Sequence, residues 1–69
     1  MQYANIEAER SRNGLSRAEL SQRLGVSQTT YKRYVEGDSP IPSSTLIKLS
    51  GLFHCSVDYL LGLQVAKSN

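Results

Sequence analysis

Apolar residues recur at intervals of three and four positions along most of the chain, which is the spacing of one face of a helix. Serines precede these stretches, where a side-chain oxygen can accept a hydrogen bond from the free N–H groups of a first helical turn. The pattern needs no strand. It predicts five helices, from about Tyr3 to Asn13, Ser16 to Leu24, Ser27 to Glu36, Ser44 to Phe53 and Ser56 to Leu61.

Particular residues mark where these helices begin and end. Ser16 and Glu19 have the spacing of a reciprocal capping box. Glycines favour the left-handed cap that closes a helix, and those placed to do so are Gly14, Gly25, Gly37 and Gly62. His54 takes the place of a glycine after the fourth helix, and histidine tolerates positive φ better than most residues. Pro40 and Pro42 predict an extended loop before that helix, which we expect to start at Ser43 or Ser44.

The apolar positions predict one buried core and therefore an all-α fold of five helices. In the second to fifth helices the expected core residues are Leu20, Leu24, Tyr31, Tyr34, Val35, Leu46, Leu49, Phe53, Val57, Leu60 and Leu61. Four more are expected to complete it: Ile6, Leu15, Val26 and Leu52. The 69 residues are enough for one such domain, residues 1–69, followed at its end by a short tail, residues 63–69.

Length and composition exclude several classes of protein. No apolar run reaches the roughly 18 residues that span a bilayer, and the first residues lack the order of a secretory signal, so we expect a cytoplasmic protein without a membrane partner. Cys55 is the single cysteine and His54 the single histidine, so neither a disulfide nor a zinc site of about four ligands is expected. His54 and Cys55 do not form a catalytic pair in this interpretation, because no Asp or Asn is placed to orient the histidine. We therefore expect no catalytic residue, no metal, no cofactor and no enzyme activity.

The charge balance gives a weak indication of a polyanionic partner. Eight basic and six acidic residues give a formal net charge of +2. The whole excess lies within residues 1–36, which hold six basic and four acidic residues. A charge of this size is common on proteins that bind nothing acidic, so its location is the informative part.

The third predicted helix has two faces of different chemistry. On a helical wheel, one arc of about 140° holds Gln28, Thr29, Lys32 and Arg33. The opposite arc holds Tyr31, Tyr34 and Val35. An amide that pairs with adenine, a threonine methyl that contacts thymine and a guanidinium that pairs with guanine or phosphate are the groups that read a major groove. The polar arc therefore predicts contact with DNA.

The helix, turn and helix at about residues 16–36 carry a family resemblance. Residues 14–34, then Gly37, and the segment from Val57 to Gly62 resemble the lambda-repressor-like helix-turn-helix proteins of the Cro/repressor, Xre type. The resemblance covers about residues 4 to 62. It implies a transcriptional regulator, most typically a repressor of phage or mobile-element type, that binds a pseudo-palindromic double-stranded DNA operator as a homodimer.

The resemblance also implies roles for individual residues. Gln28, Thr29 and Arg33 match the base-reading positions of the family, and Arg17 matches a position that contacts phosphate. A cation in the first turn of a helix opposes the helix dipole, which favours such an external role for Arg17. The expected DNA-binding set is Arg17, Ser27, Gln28, Thr29, Thr30, Lys32 and Arg33. We expect Arg10 and Arg12, by contrast, to be surface or ion-paired residues.

The sequence departs from the family pattern in three places. Val35 and Glu36 stand where the family often has a glutamate and an asparagine, and Asp38 stands where a cation is common. Two carboxylates therefore lie near the path of a phosphate strand, where they would weaken nonspecific binding. Tyr31 replaces a buried Ile or Val, so its hydroxyl must reach the surface or find a partner.

Two questions stay open in the sequence. Tyr59, Leu63 and Val65 form an edge that is either core or a dimer interface. The alternative function is that of an antitoxin or anti-regulator of the same fold, whose main partner is a protein. It would use the acidic corner at Glu36 and Asp38 together with the tail at residues 63–65. No small-molecule ligand is evident, and we expect the protein to be nucleoid-associated when bound to DNA.

Overall fold

The computed structural model describes residues 2–63, and this part of the chain forms five helices and no strand. The helices are α1 (Ala4–Arg12), α2 (Arg17–Leu24), α3 (Gln28–Glu36), α4 (Ser43–Phe53) and α5 (Val57–Leu60). The prediction of an all-α fold with five helices is confirmed, and most predicted ends fall within one residue of the observed ones. None of these helices combines the length and the apolar character needed to cross a membrane.

The helix boundaries follow the capping chemistry of the sequence. The Glu19 N–H donates to the Ser16 hydroxyl at 3.0 Å, and the Ser16 N–H donates to the Glu19 carboxylate at 2.8 Å, which confirms the capping box. These hydrogen bonds, first the one from the backbone and then the one with the Ser16 side chain, hold the pKa of Glu19 below its ordinary value. The Ser27 and Ser56 hydroxyls accept from the Thr30 and Tyr59 N–H groups and so cap α3 and α5.

The cap of α4 differs from the prediction. The helix begins at Ser43, one of the two predicted starting residues, but its N-cap is Pro42, without a side-chain cap. Pro42 has an extended ψ of 148°, and its carbonyl accepts from the N–H groups of Thr45 and Leu46 at 3.0 Å each. The backbone carbonyl of a proline therefore caps the start of the helix, whereas the sequence predicts a serine side chain in this role. His54 closes α4 in the left-handed conformation, with φ 52°, as predicted.

The buried core contains fewer residues than the sequence predicts. Its buried apolar residues are Ile6, Leu20, Leu24, Tyr31, Val35, Leu49, Phe53 and Leu60. Seven residues assigned to the core are only half-buried: Leu15, Val26 and Leu52, which pack against it, and Tyr34, Leu46, Val57 and Leu61. The buried row of α3 runs through positions 31 and 35 and that of α4 through positions 45, 49 and 53, so positions next to these rows lie on the flank.

Two backbone-directed hydrogen bonds tie α1 to the rest of the fold. The Tyr3 N–H donates to the Val35 carbonyl at 2.8 Å, which fixes the start of α1 against α3. The Asn5 side chain donates to the Tyr59 carbonyl at 2.6 Å, which fixes it against α5. Because α2 also packs on α3 and α4, one side of α3 is covered and its other side is left open.

Candidate nucleic-acid interface

The turn between α2 and α3 sets the direction of α3. Gly25 adopts the left-handed conformation, with φ 74° and ψ 29°. Its N–H donates to the Gln22 carbonyl at 3.1 Å, and the Val26 N–H donates to the Ser21 carbonyl at 3.0 Å. This cap ends α2, and Ser27, two residues later, is the N-cap of α3.

The exposed face of α3 is formed by four polar side chains, those of Gln28, Thr29, Lys32 and Arg33. All four residues are exposed. Within residues 2–63 none of the four side chains makes a hydrogen bond or an ion pair. The opposite side is buried, with Tyr31 only 1% exposed. The structure therefore brings together the four residues of the predicted polar arc and keeps them available for an external ligand.

Ser27 and Thr30 are placed differently, in the cap at the start of α3. The Ser27 hydroxyl accepts from the Thr30 N–H at 3.1 Å and donates to the Thr30 hydroxyl at 3.0 Å. Thr30 is half-buried, while Ser27 is exposed. Their hydroxyl groups thus stabilise the first turn of the helix that carries the exposed face of α3.

Arg17 lies in the first turn of α2 with its side chain 48% exposed. Its Nε and Nη2 groups donate to one oxygen of Glu7, at 3.2 and 3.1 Å. Within the described part of the chain the Nη1 group makes no hydrogen bond. Arg17 is therefore an ion-paired cation that still presents a free edge.

Glu7 is the centre of a polar cluster that sequence reasoning missed, formed by Glu7, Arg10, Arg17 and Tyr31. Besides Arg17, it accepts from Nε and Nη2 of Arg10 at 3.2 and 3.1 Å and from the Tyr31 hydroxyl. Nη1 of Arg10 donates to the Leu15 carbonyl at 2.6 Å. The two signals for the cluster were the Glu7–Arg10 spacing of three and a tyrosine on a core face.

The contacts within the cluster shift the pKa values of Glu7, Arg10 and Tyr31. Burial would raise the pKa of Glu7, but hydrogen bonds from Arg10, Tyr31 and Arg17 outweigh it, and the pKa lies below its ordinary value. The hydrogen bond to Glu7 raises the pKa of Arg10. Burial, followed by the hydrogen bond to Glu7, raises the pKa of the Tyr31 hydroxyl. At neutral pH the cluster therefore contains one carboxylate and two guanidinium groups.

A further ion pair lies within α1, and its carboxylate also accepts a hydrogen bond from α5. Arg12 pairs with Glu9 at 3.1 Å, and Glu9 is only 1% exposed. The Tyr59 hydroxyl donates to the same carboxylate at 3.2 Å. Both Arg10 and Arg12 are thus ion-paired, as the sequence predicts.

The acidic residues near the exposed face of α3 lie at its C-terminal end. Glu36 and Arg17 border one open depression, whose other lining residues are Gln2, Tyr3, Ala4, Glu7 and Val35. Asp38 follows α3 and is exposed. The phosphate-contact candidate Arg17 therefore lies beside the end of α3, next to a carboxylate.

The residues predicted for a dimer interface are in different situations. Tyr59 is half-buried and hydrogen-bonded to Glu9 within its own chain. Leu63 is 68% exposed, while Val65 lies outside the described residues. Ile47 on α4, which the sequence reasoning assigned no role, is equally exposed at 68%.

The described residues show no group of three metal-ligating side chains, and Cys55 is half-buried beside the core.

Comparison with known proteins identifies the family. The family model HTH_3, described as helix-turn-helix, matches residues 6–60 and so covers most of the chain. A comparison with curated proteins found no significant match. HTH_3 is a family of DNA-binding regulatory domains of the Cro/repressor, Xre-like type and is not an enzymatic family. With α2, the Gly25 turn and α3 inside the matched range, the chain belongs to this helix-turn-helix family of DNA-binding transcription regulators.

Proposed function

We propose that this protein is a sequence-specific repressor of phage or mobile-element type, which binds a pseudo-palindromic operator as a homodimer with α3 in the major groove. The exposed face of α3 is the observation that carries the proposal. Four polar side chains on one helix face are exposed and unpaired within residues 2–63, and polar groups of this kind gain most from an external ligand.

The side chains of this face have the chemistry of base readout. Gln28 pairs with the N6 and N7 edge of adenine, and Arg33 with the O6 and N7 edge of guanine or with a phosphate. Thr29 offers a methyl group to thymine, and Lys32 a cation to phosphate or base. The first turn of α3 contains no acidic residue, so the positive end of the helix dipole is not cancelled by a neighbouring carboxylate.

The remaining predicted contacts are to the DNA backbone. Arg17 presents a half-exposed guanidinium at the start of α2, the helix that crosses the phosphate strand in this type of domain. Ser27 and Thr30 lie at the N-terminus of α3, where a phosphate oxygen can approach the first turn. These contacts fix the register of α3 and do not discriminate between bases.

The dimer rests on the exposed Leu63 and its neighbours. Leu63 presents a large apolar side chain to solvent, and we assign it to the contact between two copies together with Tyr59 and Val65. Two copies related by a two-fold axis place two α3 helices on one side of the duplex. The half-sites should then lie about 10 to 10.5 bp apart, centre to centre.

Selection of bound duplexes from a random pool tests the proposal. We expect enrichment of a palindromic motif with the half-site spacing given above. A pool that stays unenriched, together with no binding to random duplex even at low salt, would contradict it. That result would favour the protein-directed alternative of an antitoxin or anti-regulator, for which the exposed Asp38 beside Glu36 offers an acidic surface.

A further inference from the structure

We infer that Glu7 is a positioning residue that holds Arg17 in place for its contact with a DNA phosphate, an inference that rests on the proposed DNA-binding function. Arg17 donates two hydrogen bonds, from Nε and Nη2, to one Glu7 oxygen at 3.2 and 3.1 Å. This fork fixes the plane of the guanidinium and leaves its Nη1 edge for a phosphate oxygen.

Glu7 can position Arg17 because it is itself held from two other sides. Arg10 donates to both of its oxygens, and the Tyr31 hydroxyl donates to Oε2. Arg10 is further anchored on the Leu15 carbonyl. Tyr31 belongs to α3, so the carboxylate that orients Arg17 is connected directly to the helix proposed to read bases. The phosphate contact of Arg17 and the base contacts of α3 are thereby held in a fixed position relative to each other.

The charges of the cluster are compatible with this role. One carboxylate balances one of the two guanidinium groups, so the cluster keeps one net positive charge for a phosphate. A long side chain that is already ordered loses less conformational freedom on binding than one that is free. Glu7 therefore aids binding by restricting Arg17, although its own charge repels DNA.

A double-mutant cycle between Glu7 and Arg17 tests this inference. Glu7→Asp keeps the charge but shortens the side chain by one methylene, so it cannot reach all three partners. We expect Glu7→Asp to weaken binding to the selected duplex about two- to tenfold. In the Arg17→Ala background the same substitution should have no effect. Arg17→Ala alone should lower the slope of log affinity against log salt by about 0.9 for each bound protomer.

Glu36→Asp is the matched control. Glu36 borders the same depression as Arg17 but makes no ion pair with it, and the chemical change is the same. Its affinity should remain within twofold of the wild type. Two outcomes would overturn the inference. An equal loss of affinity for Glu7→Asp with Arg17 and with Ala at position 17 would indicate a general structural effect. Tighter DNA binding by Glu7→Asp would indicate that Glu7 keeps Arg17 from the phosphate.

A measurement without DNA covers the case in which Glu7→Asp is poorly folded. In the free wild-type protein, the Arg17 Nε–H should exchange slowly with water in NMR spectra. Rapid exchange in the folded wild type would overturn the inference. If the wild type binds duplex but Arg17→Ala does not weaken it, only this inference fails; if the wild type binds no duplex, the proposed function fails too.

Discussion

Glu7 and Tyr31 show how single residues place polar groups between packed helices. Tyr31 is 1% exposed, yet its hydroxyl is satisfied by Glu7. Glu7 is in turn satisfied by two arginines, so a polar cluster takes the place that a purely apolar contact between α1 and α3 would otherwise fill. Removing one member of such a cluster leaves the others partly unpaired, which costs more than the net value of one hydrogen bond.

The lowered pKa of Glu7 predicts a pH-dependent contribution to stability. Because the folded pKa lies below the ordinary value of 4.5, the unfolded chain binds the proton first as the pH falls. The stabilisation is thus complete above the unfolded pKa and is lost through the folded pKa. We expect Glu7→Gln to lower the free energy of unfolding by about 1 to 3 kcal/mol at pH 7.

Urea denaturation of wild type and Glu7→Gln at pH 7 and at several values between pH 5 and pH 3 checks this. The difference between the two proteins should shrink as the pH falls below about 4.5, where the unfolded chain binds the proton first, and should be lost as the folded carboxylate becomes protonated at lower pH. A difference that stays constant or grows on acidification would contradict the assigned hydrogen bonds.

Among the elements, the pair α2 and α3 depends on its turn. Gly25 has a φ of 74°, which disfavours any residue with a Cβ, and an added Cβ there would meet no heavy atom within 4 Å. The requirement for glycine is therefore conformational and not a matter of space. The turn links the stability of the fold to the placement of the exposed face of α3.

Alanine substitutions at two glycines separate these effects. Gly25→Ala should destabilise the protein by about 1 to 2 kcal/mol, because it forces alanine into the left-handed region. Gly51 lies within α4, is exposed and also has no neighbour within 4 Å, so Gly51→Ala should stabilise by about 0.5 to 1 kcal/mol. Thermal unfolding measures both, and a shift of the same sign in the two variants would contradict this account.

The elements were predictable where their signals are local. Serine caps, the capping box at Ser16 and the left-handed residues Gly25 and His54 act within a few positions, and they placed most helix ends within one residue. The Glu7 cluster was not predictable, since it joins residues up to 24 positions apart through tertiary packing. The polar arc of α3 was predictable from periodicity, although its contact with DNA stays a prediction.

At the scale of the whole molecule, residues 2–63 leave two large apolar side chains exposed, and of these two Leu63 belongs to the proposed dimer contact. Leu63 and Ile47 are each 68% exposed, so replacing either should leave the core intact. We expect Leu63→Asp to weaken self-association at least about tenfold, because it places a charge in an apolar contact. Ile47→Asp, the matched control on α4, should leave it unchanged.

Sedimentation equilibrium of the two variants and the wild type measures this difference. If Ile47→Asp dissociates the dimer and Leu63→Asp does not, the dimer interface lies on α4 and not at Leu63. A wild type that is monomeric with and without operator DNA would contradict the homodimer.

Sequence-resolved DNA affinity tests the central claim, that the exposed face of α3 reads bases. Wild type, Gln28→Ala, Arg33→Ala and Lys48→Ala are measured against every single-base variant of the selected site. Gln28→Ala and Arg33→Ala should each lose about 1 to 3 kcal/mol of discrimination at one base pair per half-site. Lys48→Ala, which removes an exposed cation on α4, should keep the wild-type preference. An equal loss on all sequences for Gln28→Ala and Arg33→Ala would contradict base readout by α3.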